Sequence, residues 1–351
     1  TTRLIQEERA SWWWIIGIAT GLGMDSKYPS VLIPVAAFLA CLWLKKPRKL
    51  WLGLPMWGSA LLAILLFSPV IYWNATHDFA SFRFQGAERF QEPTSPREKA
   101  ASLIYPAVML GPFVYLAVPW VLFWAWKRRR EFPVQMGLCW TLPFLLLMLW
   151  VSSKRLVAIN WPLPGYLGFL LLLAPWMAQA GWRWLLVLPA ALFSLLPYWA
   201  LVFPLALANR GDDITQWKPM TVHALRLQRE MPRPDKTFFL GYGYQAAAHL
   251  TFAGVPKEQV VSVNALGMRA LAYDYWVSPE EFVGWDALVV AYSRVKSNGN
   301  WHPQMEVDQA RLKACFERLE GPVEFEEMRA GQRLRLYRYW KAYGYRGRPS
   351  S

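Results

Sequence analysis

The sequence predicts a polytopic α-helical membrane protein that ends in a small α/β domain. Hydrophobic residues make up 55% of the 351 residues, which exceeds their usual share in soluble domains. Long apolar stretches recur over the first part of the chain, with basic clusters between some of them. After them, short apolar runs alternate with helical patterns, which is typical of an α/β domain. We therefore predict a transmembrane helical region, 1–208, and a soluble extracytoplasmic domain, 209–351.

About seven apolar segments are candidate membrane helices. They are 12–23, 29–44, 50–73, 103–126, 133–151, 163–180 and 182–205. A helix needs about 20 residues to cross a membrane, so the first two segments are short. Short segments are tolerated where they pack against protein or line a cavity. We expect these two to do so.

Two basic clusters predict the orientation in the membrane. They are KKPRK at 45–49 and KRRR at 127–130, and both are cytoplasmic by the positive-inside rule. The loops that contain Lys27, Arg83 and Lys154 are then extracytoplasmic, as is the C-terminal domain. The net charge of +14 is attributed to topology and anionic lipid, so no nucleic-acid partner is expected. The predicted location is the cell's inner (plasma) membrane, with multiple crossings.

The stretch 67–85, FSPVIYWNATHDFASFRFQ, has the densest candidate chemistry. An apolar helix leads into it, and the chain then becomes polar and aromatic together. Trp73 and Phe82, taken singly, fit an aromatic belt at the membrane interface. Four polar side chains accompany them, namely Asn74, His77, Arg83 and Gln85. An aromatic belt does not account for these four together, so we predict a binding site at this interface.

Lys27 lies in GMDSKYPS, at the outer end of the first short segment. A charge at a membrane boundary is costly unless it is paired or solvated, which makes it a functional hypothesis by default. Asp25 is two residues away and on a helix would face another side, so it is a poor partner. A lipid or sugar phosphate is the better candidate. The alternative is a lysine that snorkels to the interface.

Lys154 and Arg155 form a second outer basic site, in SSKRLVAINWPLPGY. Basic residues are not needed for topology on this side of the membrane. The pair suits a phosphate at the interface, because arginine offers a bidentate fork and lysine a point charge. A contact with lipid headgroups is the alternative, and the sequence leaves both open.

Other common sites have little support in the sequence. Cys41 and Cys139 lie in apolar runs and Cys315 stands alone, which indicates neither a disulfide framework nor a zinc site. The four histidines lack metal-ligand spacing, and the chain has no P-loop and no G-x-G-x-x-G. No cofactor is assigned, although a divalent metal remains open.

The C-terminal domain alternates strand and helix patterns. Strands are predicted at 237–240, 260–263, 287–292 and 333–339, and helices at 221–231, 244–252 and 307–319. This alternation favours a small parallel or mixed sheet.

Several stretches resemble one family over nearly the whole chain. GMDSKYPSVLIP, LLFSPVIYWNATHDFASFRFQ and INWPLPGYL are similar to the polytopic family 39 glycosyltransferases of the GT-C fold. That family includes the lipid A aminoarabinose transferases and the protein O-mannosyltransferases. YQAAAHLTFAG and RLYRYWKAYGYRG resemble the tail of its bacterial members.

The resemblance implies that a sugar passes from a polyprenyl monophosphate carrier to a lipid, glycan or protein acceptor, with inversion, on the outer face. It assigns substrate binding to Lys27 and Tyr28 of the SKY motif, and to His77 and Arg83. Lys154 and Arg155 fit by position and chemistry only.

The family's catalytic acids lie in an outer loop that precedes the SKY motif. We therefore expect that this chain lacks its amino-terminal catalytic segment, and the catalytic residue is unassigned. Two alternatives to a transferase stay open. One is a non-catalytic protein that binds or transports lipid-linked sugar, and the other is a structural membrane subunit.

Overall fold

The computed structural model describes residues 1–90, 95–157, 161–179, 181, 187–202, 217–294, 307–329 and 332–349. The chain forms two compact units, Thr1–Leu196 and Pro197–Ser351. In the described residues, the first unit is helical and the second contains a five-stranded sheet.

The α-helices described in the apolar part of the chain follow most of the predicted segments. They are α1 Thr2–Gln6, α2 Trp12–Ser26, α3 Leu32–Trp43, α4 Arg48–Trp51, α5 Leu54–Thr76, α6 Ala80–Gly86, α7 Pro96–Leu110, α8 Pro112–Lys127, α9 Phe132–Lys154, α10 Leu163–Ala178 and α11 Val187–Val202. Part of the predicted segment 182–205 lies outside the described residues.

Two stretches of the described chain are long and apolar enough to cross a membrane, by length and composition. They are Arg48–Thr76 and Phe132–Lys154, and shorter apolar helices cover Tyr28–Trp43 and Leu163–Ala178. Crossing by the other predicted segments stays a prediction.

The predicted single segment 103–126 is wrong, because the structure breaks it into α7 and α8 at Gly111. Gly111 adopts φ +79°, a left-handed conformation that glycine accepts readily. Pro112 follows and begins the next helix, where its missing N–H costs nothing. The residues on both sides of Gly111 are apolar, so a hydropathy pattern shows one continuous segment and does not reveal the break.

Small residues allow α2 and α5 to pack closely in parallel. A Cβ on Gly17 would lie 2.5 Å from the Ser59 carbonyl oxygen, and one on Gly21 would lie 2.9 Å from that of Ala63. At the start of α2, the Trp13 indole donates at 2.7 Å to the carbonyl of Leu50, which lies in α4 just before α5. Because the contacts advance together along both helices, α2 and α5 point the same way.

The α9 helix points in this direction too. Met136 and Cys139, near its start, share one buried cluster with Trp13 of α2 and with Cys41 at the end of α3. The cluster therefore gathers the starts of α2 and α9 and the end of α3. The ends of α2, α5 and α9 lie away from it.

The second unit is built on a mixed sheet of strand order β2-β1-β3-β5-β4. The strands are β1 Thr237–Gly241, β2 Val260–Val261, β3 Asp286–Arg294, β4 Phe316–Arg329 and β5 Gln332–Tyr345. The first three are parallel, and β5 pairs antiparallel with both β3 and β4. The accompanying α-helices are α12 Lys218–Arg229, α13 Tyr244–Phe252, α14 Tyr273–Trp276 and α15 Gln309–Cys315.

Apolar side chains cover both faces of this sheet. One cluster joins α12 and α13 to Phe239, Leu288 and Tyr339. The other joins α15 to Phe238 and Val289, which alternate with the first set along their strands. Both faces of the central strands are therefore buried, which is the usual condition of parallel strands.

The helix predicted at 244–252 is confirmed with those bounds. The helix predicted at 307–319 is wrong beyond Cys315, because Phe316 starts β4. The residues after Cys315 pair with β5, and cross-strand ion pairs such as Arg338–Glu324 at 2.8 Å accompany this pairing. Tertiary pairing overrides the local helical pattern here.

Candidate functional site

The predicted site residues lie at one end of the helical unit. Lys27 follows the end of α2, His77 follows the end of α5, and Lys154 ends α9. Since these helices start together at the buried cluster, their ends lie together on the opposite side. The basic clusters at 45–49 and 127–130 follow α3 and precede α9, so they lie at the end with the buried cluster. The two sets of cations therefore lie at opposite ends of the helical unit, and that these ends face opposite sides of a membrane stays a prediction.

Tyr28 connects the SKY motif to α6. Its hydroxyl forms a hydrogen bond with the Ser81 hydroxyl, 53 residues further along the chain. Its ring packs edge-on against Phe67 at 5.9 Å and against Phe82 at 5.5 Å, measured between ring centroids. This contact holds the backbone of Lys27, one residue before Tyr28, near the helix that presents Arg83.

Asn74 shapes the corner between α5 and α6. Its side chain is fully buried, and its Oδ1 accepts hydrogen bonds from the backbone N–H groups of Ser81, at 3.1 Å, and Phe82, at 3.2 Å. These are donors of the first turn of α6, which lack partners inside the helix. Asn74 Nδ2 donates to the Val70 carbonyl at 2.9 Å. One amide thus caps α6 from the preceding helix.

The chain reverses at this corner through two left-handed residues. Asp78 has φ +51° and Phe79 has φ +53°, and neither is a glycine. Such conformations are uncommon outside glycine and mark local strain at functional sites. The backbone N–H of Phe79 also donates to the Asn74 carbonyl at 2.7 Å, which supports the turn.

His77 is held by its own helix end. Its Nδ1 lies 2.8 Å from the Trp73 carbonyl oxygen, and its ring stacks on the Trp73 ring at 4.4 Å. A proton on Nδ1 would satisfy this carbonyl. Nε2 is then the ring nitrogen that would accept a hydrogen bond from a ligand.

Lys27 and Arg83 both expose their charged ends to solvent. Among the residues that the structure describes, neither side chain has a hydrogen bond or an ion pair, and Asp25 does not pair with Lys27. One of these exposed cations precedes Tyr28 in the chain, and the other lies on α6, two residues after Ser81.

Lys154 and Arg155 lie where α9 ends. The Arg155 guanidinium stands over the Trp161 ring, 5.3 Å from its centroid. Phe90, which follows α6, packs against Trp150 of α9 at 5.6 Å. The loop after α6 thus reaches the end of α9. Residues 158–160, which precede Trp161, lie outside the described residues.

Two apolar cavities adjoin this end of the unit. One, of about 240 Å³, lies among α7, α8, α9 and α10 and reaches Ser152 and Val157, on either side of the Lys154–Arg155 pair. The other, of about 450 Å³, is lined by α8, α10 and α11. Tyr166 borders both, and within the described residues its buried hydroxyl has no hydrogen-bond partner. Tyr166 falls within INWPLPGYL, but it lies in an apolar run and the sequence pattern assigns it no role.

The described residues contain no group of three or more His, Cys, Asp or Glu side chains placed to hold a metal ion. Cys41, Cys139 and Cys315 are buried free thiols. We assign no catalytic acid among the residues that the structure describes.

A family model described as dolichyl-phosphate-mannose-protein mannosyltransferase matches residues 1–73. The match covers 73 of the 351 residues, so it shows that this segment is similar to that family. The matched segment includes Lys27 and Tyr28 and stops before His77. No curated protein and no solved structure matches the chain.

Proposed function

We propose that this protein takes part in transferring a sugar from a polyprenyl-phosphate carrier to a lipid, glycan or protein acceptor. The reaction takes place at the outer face of the cell's inner membrane, where the C-terminal domain also lies. The single observation that supports this most is the gathering of Lys27, Arg83, Lys154 and Arg155 at one end of the helical unit, with the family match covering the first of them. The description of the matching family makes mannose the first sugar to test and protein the first acceptor.

The carrier phosphate is the ligand that these cations fit. Lys27 precedes Tyr28, whose hydroxyl bonds to Ser81 on α6, and α6 also carries Arg83, so the hydroxyl pair and two exposed cations belong to adjoining segments. A phosphate accepts charge-assisted bonds from both kinds of donor. The alternative is that Lys27 only reaches toward water at the membrane interface. That role would not require the Tyr28–Ser81 hydrogen bond, nor the buried Asn74 amide that caps the helix carrying Ser81.

The isoprenoid chain of the carrier fits the apolar cavities. The smaller cavity is lined by Ser152 and Val157, which are close in sequence to Lys154 and Arg155, so a phosphate held by this pair would leave the attached hydrocarbon near apolar walls. Ligand pockets are commonly this mixture of apolar lining and a few polar groups at one end. Tyr166, which lines both cavities, adds a hydroxyl to this apolar lining.

The test is release of labelled mannose from a polyprenyl-phosphate mannose by the full-length protein in membranes. Arg83→Ala and Lys154→Ala should each remove a charge-assisted contact of about 1.5–3 kcal/mol and raise the donor KM. Lys49→Ala removes an exposed cation from the opposite end and serves as the matched control, with unchanged KM. Unchanged KM for both site variants would favour a headgroup contact. Donor binding without any release would favour the non-catalytic binding or transport protein.

A further inference from the structure

An aromatic and basic surface lies on the second unit, at some distance in sequence from the residues of the proposed site. It consists of Phe252 at the end of α13, Lys257 in the loop before β2, and Tyr275 and Trp276 of α14; we call these four residues the aromatic surface. Phe252 is 92% exposed, Trp276 is 54% exposed and Tyr275 is 45% exposed. Single exposed apolar residues are ordinary, but neighbouring exposed aromatic residues mark an interaction surface.

The contacts show that this surface is continuous. The Lys257 ammonium lies 5.1 Å from the centroid of the Trp276 ring. Trp276 packs on Tyr273 at 5.0 Å between ring centroids. Tyr273 is buried, and its hydroxyl lies near Thr251, the residue before Phe252. Burial raises the pKa of the Tyr273 hydroxyl, so Tyr273 is a neutral support beneath the exposed rings.

The chemistry of the surface fits the headgroup region of a bilayer. Tryptophan and tyrosine prefer this region because one part of each ring system is apolar and another part is polar. Lys257 can keep its ammonium among hydrated phosphates there. A dry protein interface would instead have to desolvate that charge, which is costly without a paired carboxylate. Phe252 gains most from an apolar phase, since nearly all of its surface faces water otherwise.

The two units are parts of one chain, so a membrane held by the first is present at a high effective concentration for the second. Even a weak surface contact would then be occupied. We propose that the aromatic surface rests in the headgroup region of the bilayer that the apolar helices cross. This inference requires membrane insertion only, and holds whether or not the protein transfers a sugar.

The test places a nitroxide spin label on the full-length protein in nanodiscs of phosphatidylcholine and phosphatidylglycerol. Phe252→Cys reports the aromatic surface. Val323→Cys is the matched control, because it is an exposed apolar position on β4, and β4 lies at the sheet edge opposite β2. Unsubstituted protein gives the background from the three buried cysteines. Relaxation by oxygen, which concentrates in lipid, is compared with relaxation by a water-soluble nickel chelate.

The expected result is an oxygen-to-nickel accessibility ratio several-fold higher at position 252 than at position 323. Adding Lys257→Glu should lower the ratio at 252 in nanodiscs that contain phosphatidylglycerol, and less so in pure phosphatidylcholine. Equal ratios at the two positions would overturn the proposal, because the surface would then face water. A label at 252 that neither reagent reaches would also overturn it, and would indicate that protein covers the surface.

Discussion

Replacing Asn74 with alanine tests how the α5–α6 corner is held. The substitution removes the acceptor for the N–H groups of Ser81 and Phe82 and leaves them without a partner at the start of α6. Losing a side-chain cap of this kind costs about 0.5–2 kcal/mol. Loss of the bond to Val70 adds little, because the carbonyl of Val70 can still accept within the helix. A helix as short as α6 has little stability of its own. We therefore expect the lost free energy to appear as easier local opening of the α5–α6 corner.

Hydrogen exchange on the full-length protein measures this cost directly. A loss near the upper end of that range corresponds to roughly 30-fold faster exchange at the amides of Ser81 and Phe82. Exchange near the start of α2 should not change. Thr76→Ala is the matched control, because Thr76 is exposed and its hydroxyl bonds only within its own turn. Unchanged exchange in Asn74→Ala, or equal acceleration in Thr76→Ala, would refute the capping role.

Two further predictions concern single hydrogen bonds in the two units. Tyr28→Phe should weaken the α6 contact by about 0.5–1.5 kcal/mol, and combining it with Ser81→Ala should add no further loss in hydrogen exchange, since both remove one bond. Asp286→Ala should destabilise the second unit by about 1.5–3 kcal/mol, read from proteolysis rates, because a 2% exposed carboxylate accepts from Arg233 and from the Gly344 N–H.

Each of these has a clear contrary outcome. Additive losses in the Tyr28 and Ser81 double variant would show that the two hydroxyls act separately. For Asp286, the control is Arg226→Ala, which removes an exposed ion pair with Glu230 and should leave proteolysis unchanged. Equal sensitivity of both variants would mean that the second unit responds to surface charge in general.

The sequence predicts elements whose signals are local. The helix at 244–252 stands between a strand and a glycine, and hydrophobic periodicity with these flanks is enough to bound it. The charge clusters predict which loops lie together, because topology depends on loop charge alone. The SKY segment and the 67–85 stretch are likewise visible as polar residues at the ends of apolar runs.

The features that hold the site together depend on distant parts of the chain. Nothing near Tyr28 indicates a bond to Ser81, 53 residues away. Asp78 is a residue type that tolerates the left-handed region, but nothing local predicts the same conformation for Phe79. Asn74 is visible in the sequence as a polar residue, but its burial and its capping bonds follow only from the reversal of the chain. The strand that begins at Phe316 was missed for a similar reason, since its partner β5 comes later in the chain.

The central claim is that this end of the helical unit binds the carrier phosphate, and Lys27 tests it most directly. The measurement is the rate of sugar release from a polyprenyl-phosphate sugar by full-length protein, together with the yield of inserted protein. Lys27→Ala should lower kcat/KM by roughly 10- to 150-fold, the equivalent of about 1.5–3 kcal/mol, with an unchanged yield. Lys27→Arg should keep part of the activity, because the charge remains and the point-charge geometry does not. Normal release by Lys27→Ala with a reduced yield would contradict the account and make Lys27 a membrane anchor.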